Sequence, residues 1–283
     1  MLTVIAALLA VGGYAAYRAY QNYVVRVLTV PGCQAGTGAN AIPLDFGQTA
    51  DAATIAGVAV REHLPLRALT IAYATALQES KLENLDYGDL DSVGVFQQRP
   101  SEGWGTTKEL EDPAYAAGAF FAALVKVPGY TRLPVYEAAQ DVQRSADGYA
   151  YQQYAQTGAL LATEFAARPH SVTCWYDPAT QAATMGVSPK LNLKAAASGL
   201  EGTFGPMGGS GPVLGASTER SGESGTFAVT AAGGWTVANW LVAYASSYGI
   251  TQVRYGGYQW TAGLTETAWQ SDPGGVARSI VAS

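Results

Sequence analysis

Leu77–Gly105 reads LQESKLENLDYGDLDSVGVFQQRPSEGWG, and the fold turns on how this stretch is understood. It opens at the end of a helical pattern. Leu66, Leu69, Tyr73, Ala76 and Leu77 recur every three or four residues, which predicts a buried helix over 66–79. That helix runs out at Glu79-Ser80. Glu83, Asp86, Asp89 and Asp91 follow quickly, and then an apolar turn, Val93-Gly94-Val95-Phe96, leads into two amides, Gln97 and Gln98. A glutamate at a helix C-terminus opposes the helix dipole, so helix stability does not explain Glu79. Three explanations compete for the acids. They are solvated side chains, with the aspartates capping turns around Gly88; a calcium loop; or a catalytic acid beside ionised helpers. Asp-x-x-Asp-x-Asp without a bidentate Glu at the right distance is a poor EF-hand, so no metal is expected.

Outward from this stretch the pattern is mostly helical. Residues 31–50 are rich in Pro, Gly and Ala and read as a loop, followed by a helix over Ala52–Glu62 that Pro65 ends. Asp112-Pro113 is an N-cap with proline at the first helical position, for a helix reaching about Lys126. Pro134 opens another, with Val135, Ala138, Ala139 and Val142 inward, and Tyr149 to Ala167 forms a third. The sequence therefore predicts a mainly α domain over 31–176, with a short irregular or β-hairpin cleft region. Residues 177–225 turn to Gly, Ser and Pro and read as a mobile linker with a short helix at Pro189–Leu200. Residues 226–283 read as a small α/β module. It has a strand at Thr226–Ala231, a helix at Thr236–Tyr248, a hairpin of Gln252–Tyr255 with Tyr258–Thr261 around Gly256-Gly257, and a last strand at Val276–Val281. Its Trp260 and Trp269 either fill a small core, the commoner fate, or stack on sugar faces.

Composition narrows the function. The 283 residues carry a formal charge of −6 and no run of Lys and Arg, which argues against nucleic acid as a partner. Two histidines, His63 and His170, and two distant cysteines make no zinc-type cluster. Leu2–Tyr17 is apolar and, as a helix, ~24 Å long, which reaches membrane-spanning length if it extends to Tyr20. Residues 1–30 accordingly read as a membrane anchor or signal segment, although Arg18 and Arg26 follow the apolar run rather than precede it. Cys33 and Cys174 are either two thiols or one disulfide, and export favours the disulfide.

The spacing of Gln78-Glu79-Ser80, about a dozen residues, then Gly94-Val95-Phe96-Gln97 resembles the lysozyme-like superfamily. In its lytic transglycosylases a Glu-Ser pair ends a core helix, and a Gly-apolar-apolar-Gln turn closes the cleft opposite. Tyr87-Gly88-Asp89-Leu90-Asp91-Ser92 looks like the goose-type lysozymes. Residues 33–174 are similar to a group of exported actinobacterial lysozyme-like proteins, through LQESKLENLDYGDLDSVGVFQQRPSEGWGT, DPAYAAGAFFAALVKVPGY and AAQDVQRSADGYA, with both cysteines at the edges. GGWTVANWLVAYASSYGITQVRYGGYQWT resembles the accessory segment such proteins carry.

The resemblance implies an extracytoplasmic glycosidase that cleaves the MurNAc-GlcNAc backbone of peptidoglycan and needs no cofactor. Glu79 would be the general acid, with Asp89 or Asp91 positioning water where hydrolysis occurs. Ser80, Tyr87, Val95, Phe96, Gln97, Gln98 and Arg99 would line or contact the substrate. One departure stands out. The family's Ala-Tyr-Asn-Ala-Gly motif is replaced here by Ala138-Ala139-Gln140-Asp141-Val142-Gln143, so that Gln143 or Tyr149 would have to supply its contact. The implied partners are glycan strands, the cytoplasmic membrane through residues 1–30, and an envelope protein complex. The alternative is a non-catalytic peptidoglycan-binding or envelope-scaffold protein on the same fold.

Overall fold

The computed structural model describes residues 14, 30–144, 148–178, 190–207, 214–221, 224–231, 233–264, 268–274 and 279–283. The expected anchor or signal segment, 1–30, lies almost wholly outside them. Among the described residues no helix is long and apolar enough to cross a membrane.

Two helices form the centre. Helix α1 (Phe46–Arg61) starts six residues earlier than its apolar pattern suggests, because Asp45 and Gln48 form a reciprocal capping box. Helix α2 (Leu66–Glu79) is buried on every side from Ala68 to Ala76, as expected of a helix apolar all round. The two are tied by the Tyr73 hydroxyl, which donates to the Ala52 carbonyl at 2.7 Å. Around α2 pack α4 (Pro113–Leu124), which follows a short helix α3 (Thr107–Leu110), then α5 (Val135–Gln143) and α6 (Ala155–Ala162). Asp112 starts α4 by accepting from the amides of Ala114 and Tyr115. The single helix expected over 149–167 is three pieces: a 3-10 stretch at Gly148–Tyr154, α6, and a π turn at Thr163–Ala167.

The segment read as a loop, 31–50, instead holds two strands and the first turn of α1. Strand β1 (Gly32–Ala35) pairs antiparallel with β2 (Ile42–Leu44) and with β3 (Val172–Trp175). Strands of three and four residues are too short to show alternation. Cys33 lies directly opposite Cys174, their Cα atoms 4.0 Å apart, and the two form a disulfide across 141 residues. That bond fits a location outside the cytoplasm.

The rest corrects the expectation of a mainly α chain. The protein is mixed α/β, because the C-terminal half contributes a six-stranded antiparallel sheet. Residues read as linker contain α7 (Leu193–Phe204) and β4 (Leu214–Ser221). Then come β5 (Ser224–Val229), α8 (Gly234–Ala243), α9 (Ala245–Tyr248), β6 (Gln252–Tyr255), β7 (Tyr258–Thr261), β8 (Gln270–Ser271) and β9 (Ser279–Ala282), in the order β4-β5-β9-β6-β7-β8. Helix α8 packs on α1, and the seam is knitted by polar contacts. Thr54 Oγ1 and the Tyr244 hydroxyl share a 2.8 Å hydrogen bond, Tyr176 donates to the Ile250 carbonyl at 2.6 Å, and Trp260 and Trp269 donate to the carbonyls of Cys174 and Val172. Both tryptophans are buried, so they serve this core rather than a sugar surface. The C-terminal segment shares one continuous apolar core with the helices.

Candidate active site

Helix α2 delivers Glu79 to the surface and stops there. The Ser80 amide closes the last turn on the Ala76 carbonyl, and Lys81 and Leu82 then take left-handed backbone angles that fold the chain back. Leu82 is fully buried, which holds that reversal in place. The Lys81 ammonium bonds the Leu77 carbonyl at 3.2 Å and the Tyr154 hydroxyl at 2.6 Å, placing a cation at the negative end of the helix.

Opposite Glu79 stands the turn through residues 93–98. Val93 and Gln98 pair as an antiparallel bridge, and Gly94 and Gln97 both have positive φ. Gly94 is required: its φ is +77°, and a Cβ there would lie 2.2 Å from the Leu110 carbonyl oxygen. Three elements fix the turn. The Ser80 hydroxyl donates to the Val95 carbonyl at 2.8 Å, the Gln143 amide donates to the Phe96 carbonyl at 2.8 Å, and the Phe96 ring stacks on Phe120 of α4 at 4.6 Å.

The loop between helix and turn is pinned as well. The Asn84 side chain donates to the Glu111 carbonyl, and the Gly94 amide donates to the Leu85 carbonyl, both at 2.7 Å. Asp51, buried in α1 behind this loop, is bonded to the Asn84 backbone, and burial pushes its carboxyl up to about 7. Gly88 lies so close to Gln97 and Ser92 that a Cβ would meet Gln97 Oε1 at 1.9 Å. Asp91 accepts from Arg99 Nε at 2.9 Å and, through its other oxygen, from the Ser101 amide at 2.8 Å. Those bonds hold its carboxyl down at about 2.

Between helix end and turn runs a cleft of about 860 Å³. Glu79, Asp89, Gln97 and Gln98 line it. Arg99, Glu102, Trp104 and, from the end of α5, Gln143 and Arg144 line it too. Glu79 Oε1 accepts a 2.6 Å hydrogen bond from the hydroxyl of Tyr151, a residue only 1% exposed.

The expected site residues therefore divide. Glu79, Asp89, Gln97, Gln98, Arg99 and Gln143 come together at the cleft. Gln97 is already engaged, donating to the carbonyls of Tyr87 and Gly94 and accepting from Ser92. Gln98 is buried and donates to the Ala116 carbonyl. Ser80, Val95 and Phe96, expected at the substrate, are buried and act by shaping the turn. Asp91 has both carboxylate oxygens committed and does not line the cleft. Tyr87 and Tyr149 are exposed outside it, with Tyr149 edge-on to Tyr136.

Sequence reasoning missed Tyr151. The signal was a choice between neighbouring tyrosines, Tyr149 and Tyr151, and the local 3-10 turn, which no periodicity announces, decides which points inward. Among the described residues no group of three His, Cys, Asp or Glu side chains converges as metal ligands would. No family model and no curated protein matches the chain.

Proposed function

We propose that this protein cleaves the glycan backbone of peptidoglycan, with Glu79 as the general acid. The carrying observation is Glu79 at the rim of an 860 Å³ cleft, with Oε1 held by a buried tyrosine. Because Oε1 is committed to Tyr151, Oε2 is the oxygen that meets the glycosidic bond. Protonation of the leaving oxygen lets positive charge grow at the anomeric carbon, and the same residue, once ionised, takes the proton from whatever attacks next. Asp91 is locked to Arg99 and Ser101, so Asp89 is the carboxylate able to orient a water. Where the muramyl hydroxyl attacks instead, no second carboxylate is needed and an anhydro sugar results. The arrangement of helix end, turn and cleft supports this reading, and residues 1–30 would hold the enzyme at the cytoplasmic membrane.

The test is digestion of purified cell walls by the parent and by Glu79→Gln, with mass spectrometry of the fragments. Anhydro-muramyl ends mean transglycosylation and hydrated reducing ends mean hydrolysis. Release by the variant at the parent's rate removes Glu79 from the role. A second reading, a wall-binding scaffold, draws on Gln143. Its amide is spent on the Phe96 carbonyl, which weakens it as a substitute for the family's missing asparagine. Retention on walls with no fragment release by the parent would establish that reading.

A further inference from the structure

The cleft has a neighbour. Beyond Trp104 and Arg144, which line both, a second groove of about 420 Å³ continues between α4 and α5. Its floor is apolar, made by Ala123, Val127, Pro128 and Val142. Its charged residues are Lys126, Arg144 and Asp141. Among the described residues neither Lys126 nor Arg144 forms an ion pair, whereas Arg99 in the main cleft is held by both Asp91 and Glu102. The main cleft thus presents Glu79, Asp89 and Glu102 with one neutralised arginine and, at the junction, the shared Arg144, whereas the branch groove adds Lys126 to Arg144 against the single acid Asp141, on a chain whose net charge is −6.

Resting on the proposed activity, we infer that this groove seats the carboxylate-bearing peptide branch of the glycan strand. A strand of muramyl sugars carries short peptides rich in small apolar side chains and ending in carboxylates. Such a branch would be repelled by the acids of the main cleft and drawn to Lys126 and Arg144, while its methyl groups cover Val127 and Val142. Trp104, at the junction, separates the two paths. Arg144 is placed by backbone rather than by chance: it caps α5 in the left-handed conformation, its amide 2.7 Å from the Gln140 carbonyl. The groove is thereby a specificity determinant, selecting strands that bear peptides over stripped ones.

The experiment is calorimetric binding of a muramyl tetrasaccharide, with its peptides intact or enzymatically removed, to the full chain carrying Glu79→Gln so that nothing is turned over. Intact peptides should tighten binding about tenfold. Adding Lys126→Glu should erase about fivefold of that gain and leave the stripped glycan unaffected, while Lys126→Arg preserves it. Equal binding of the two glycans, or an equal loss for both on Lys126→Glu, overturns the inference and leaves the cleavage reading standing. Failure of both glycans to bind overturns the cleavage reading and this inference together.

Discussion

Asp51 should make the protein less stable as the medium becomes neutral. It is 6% exposed in α1, and burial raises its carboxyl from 3.8 to about 7, outweighing the hydrogen bond to the Asn84 backbone that favours ionisation. The nearby acids Asp45 and Glu83 push the same way. Between pH 4 and pH 7 the folded chain holds a proton here that the unfolded chain has released. Stability from this site is therefore full below about pH 4 and is lost as pH rises towards 7, beyond which both states are ionised. A rise of about three units, at ~1.4 kcal/mol each, makes the loss about 4 kcal/mol, an appreciable part of a typical folding free energy. Asp51→Asn keeps the acceptor oxygen and removes the titration. Urea unfolding from pH 4 to pH 8 should show the variant gaining on the parent, to a few kcal/mol at pH 8, with m unchanged. Other carboxylates move both proteins alike, so only the difference between them matters. If that difference is flat with pH, Asp51 is not a buried neutral acid and the linkage argument falls.

Three further outcomes follow from the geometry. Tyr151→Phe removes the hydroxyl that holds Glu79, a hydrogen bond to an ionisable group in the range of ~2 kcal/mol, so kcat on wall glycan should fall ten- to thirtyfold. KM should stay unchanged, because the buried ring does not touch substrate; a rise in KM with constant kcat would contradict the positioning role. Gly94→Ala forces a Cβ towards the Leu110 carbonyl at a left-handed position and should cost more than ~2 kcal/mol in urea unfolding, with fragment release lost in parallel. Cys33→Ser with Cys174→Ser opens a 141-residue loop, whose closure limits the unfolded chain by up to ~5 kcal/mol, and should lower Tm by well over 5 °C relative to the oxidised parent.

What the sequence revealed and what it hid divide by the range of the interactions. Helix α2, Pro134 as the opening of α5 and the Gly256-Gly257 hairpin rest on periodicity or turn chemistry within a few residues, and all three are legible. Strand β1 is not, because its four residues gain their conformation from partners at β2 and, far along the chain, β3. The same holds for β4, which hid in a glycine- and serine-rich run. At the site, the sequence marks the helix end and the turn, yet it does not separate the buried Ser80, Val95, Phe96 and Gln98 from the half-buried Gln97 beside them. Alternation says which residues share a side, and only the packing of α4 and α5 says which side is inside. Tyr151 required a contact across 72 residues.

Glu79 is the residue whose charge the fold does not explain. Ser80 closes the helix and anchors the turn, Leu82 buries the reversal, and Phe96 on Phe120 fixes the turn's height. Each of these would be retained by a scaffold that had stopped turning over substrate, because losing any of them costs stability. Glu79 gives the fold one hydrogen bond, from the buried Tyr151, which an uncharged side-chain oxygen could also accept, while its charge at the helix C-terminus opposes the dipole by ~0.3–1 kcal/mol. Glu79→Gln keeps an oxygen for Tyr151 to bond and removes that opposition. The variant should therefore be as stable as the parent or slightly more so, while releasing no wall fragments. Stability and activity moving in opposite directions is the signature of a residue held for chemistry. If Glu79→Gln instead destabilises by more than ~1 kcal/mol in urea unfolding at neutral pH, the carboxylate is part of the scaffold, and the case for catalysis loses its main support.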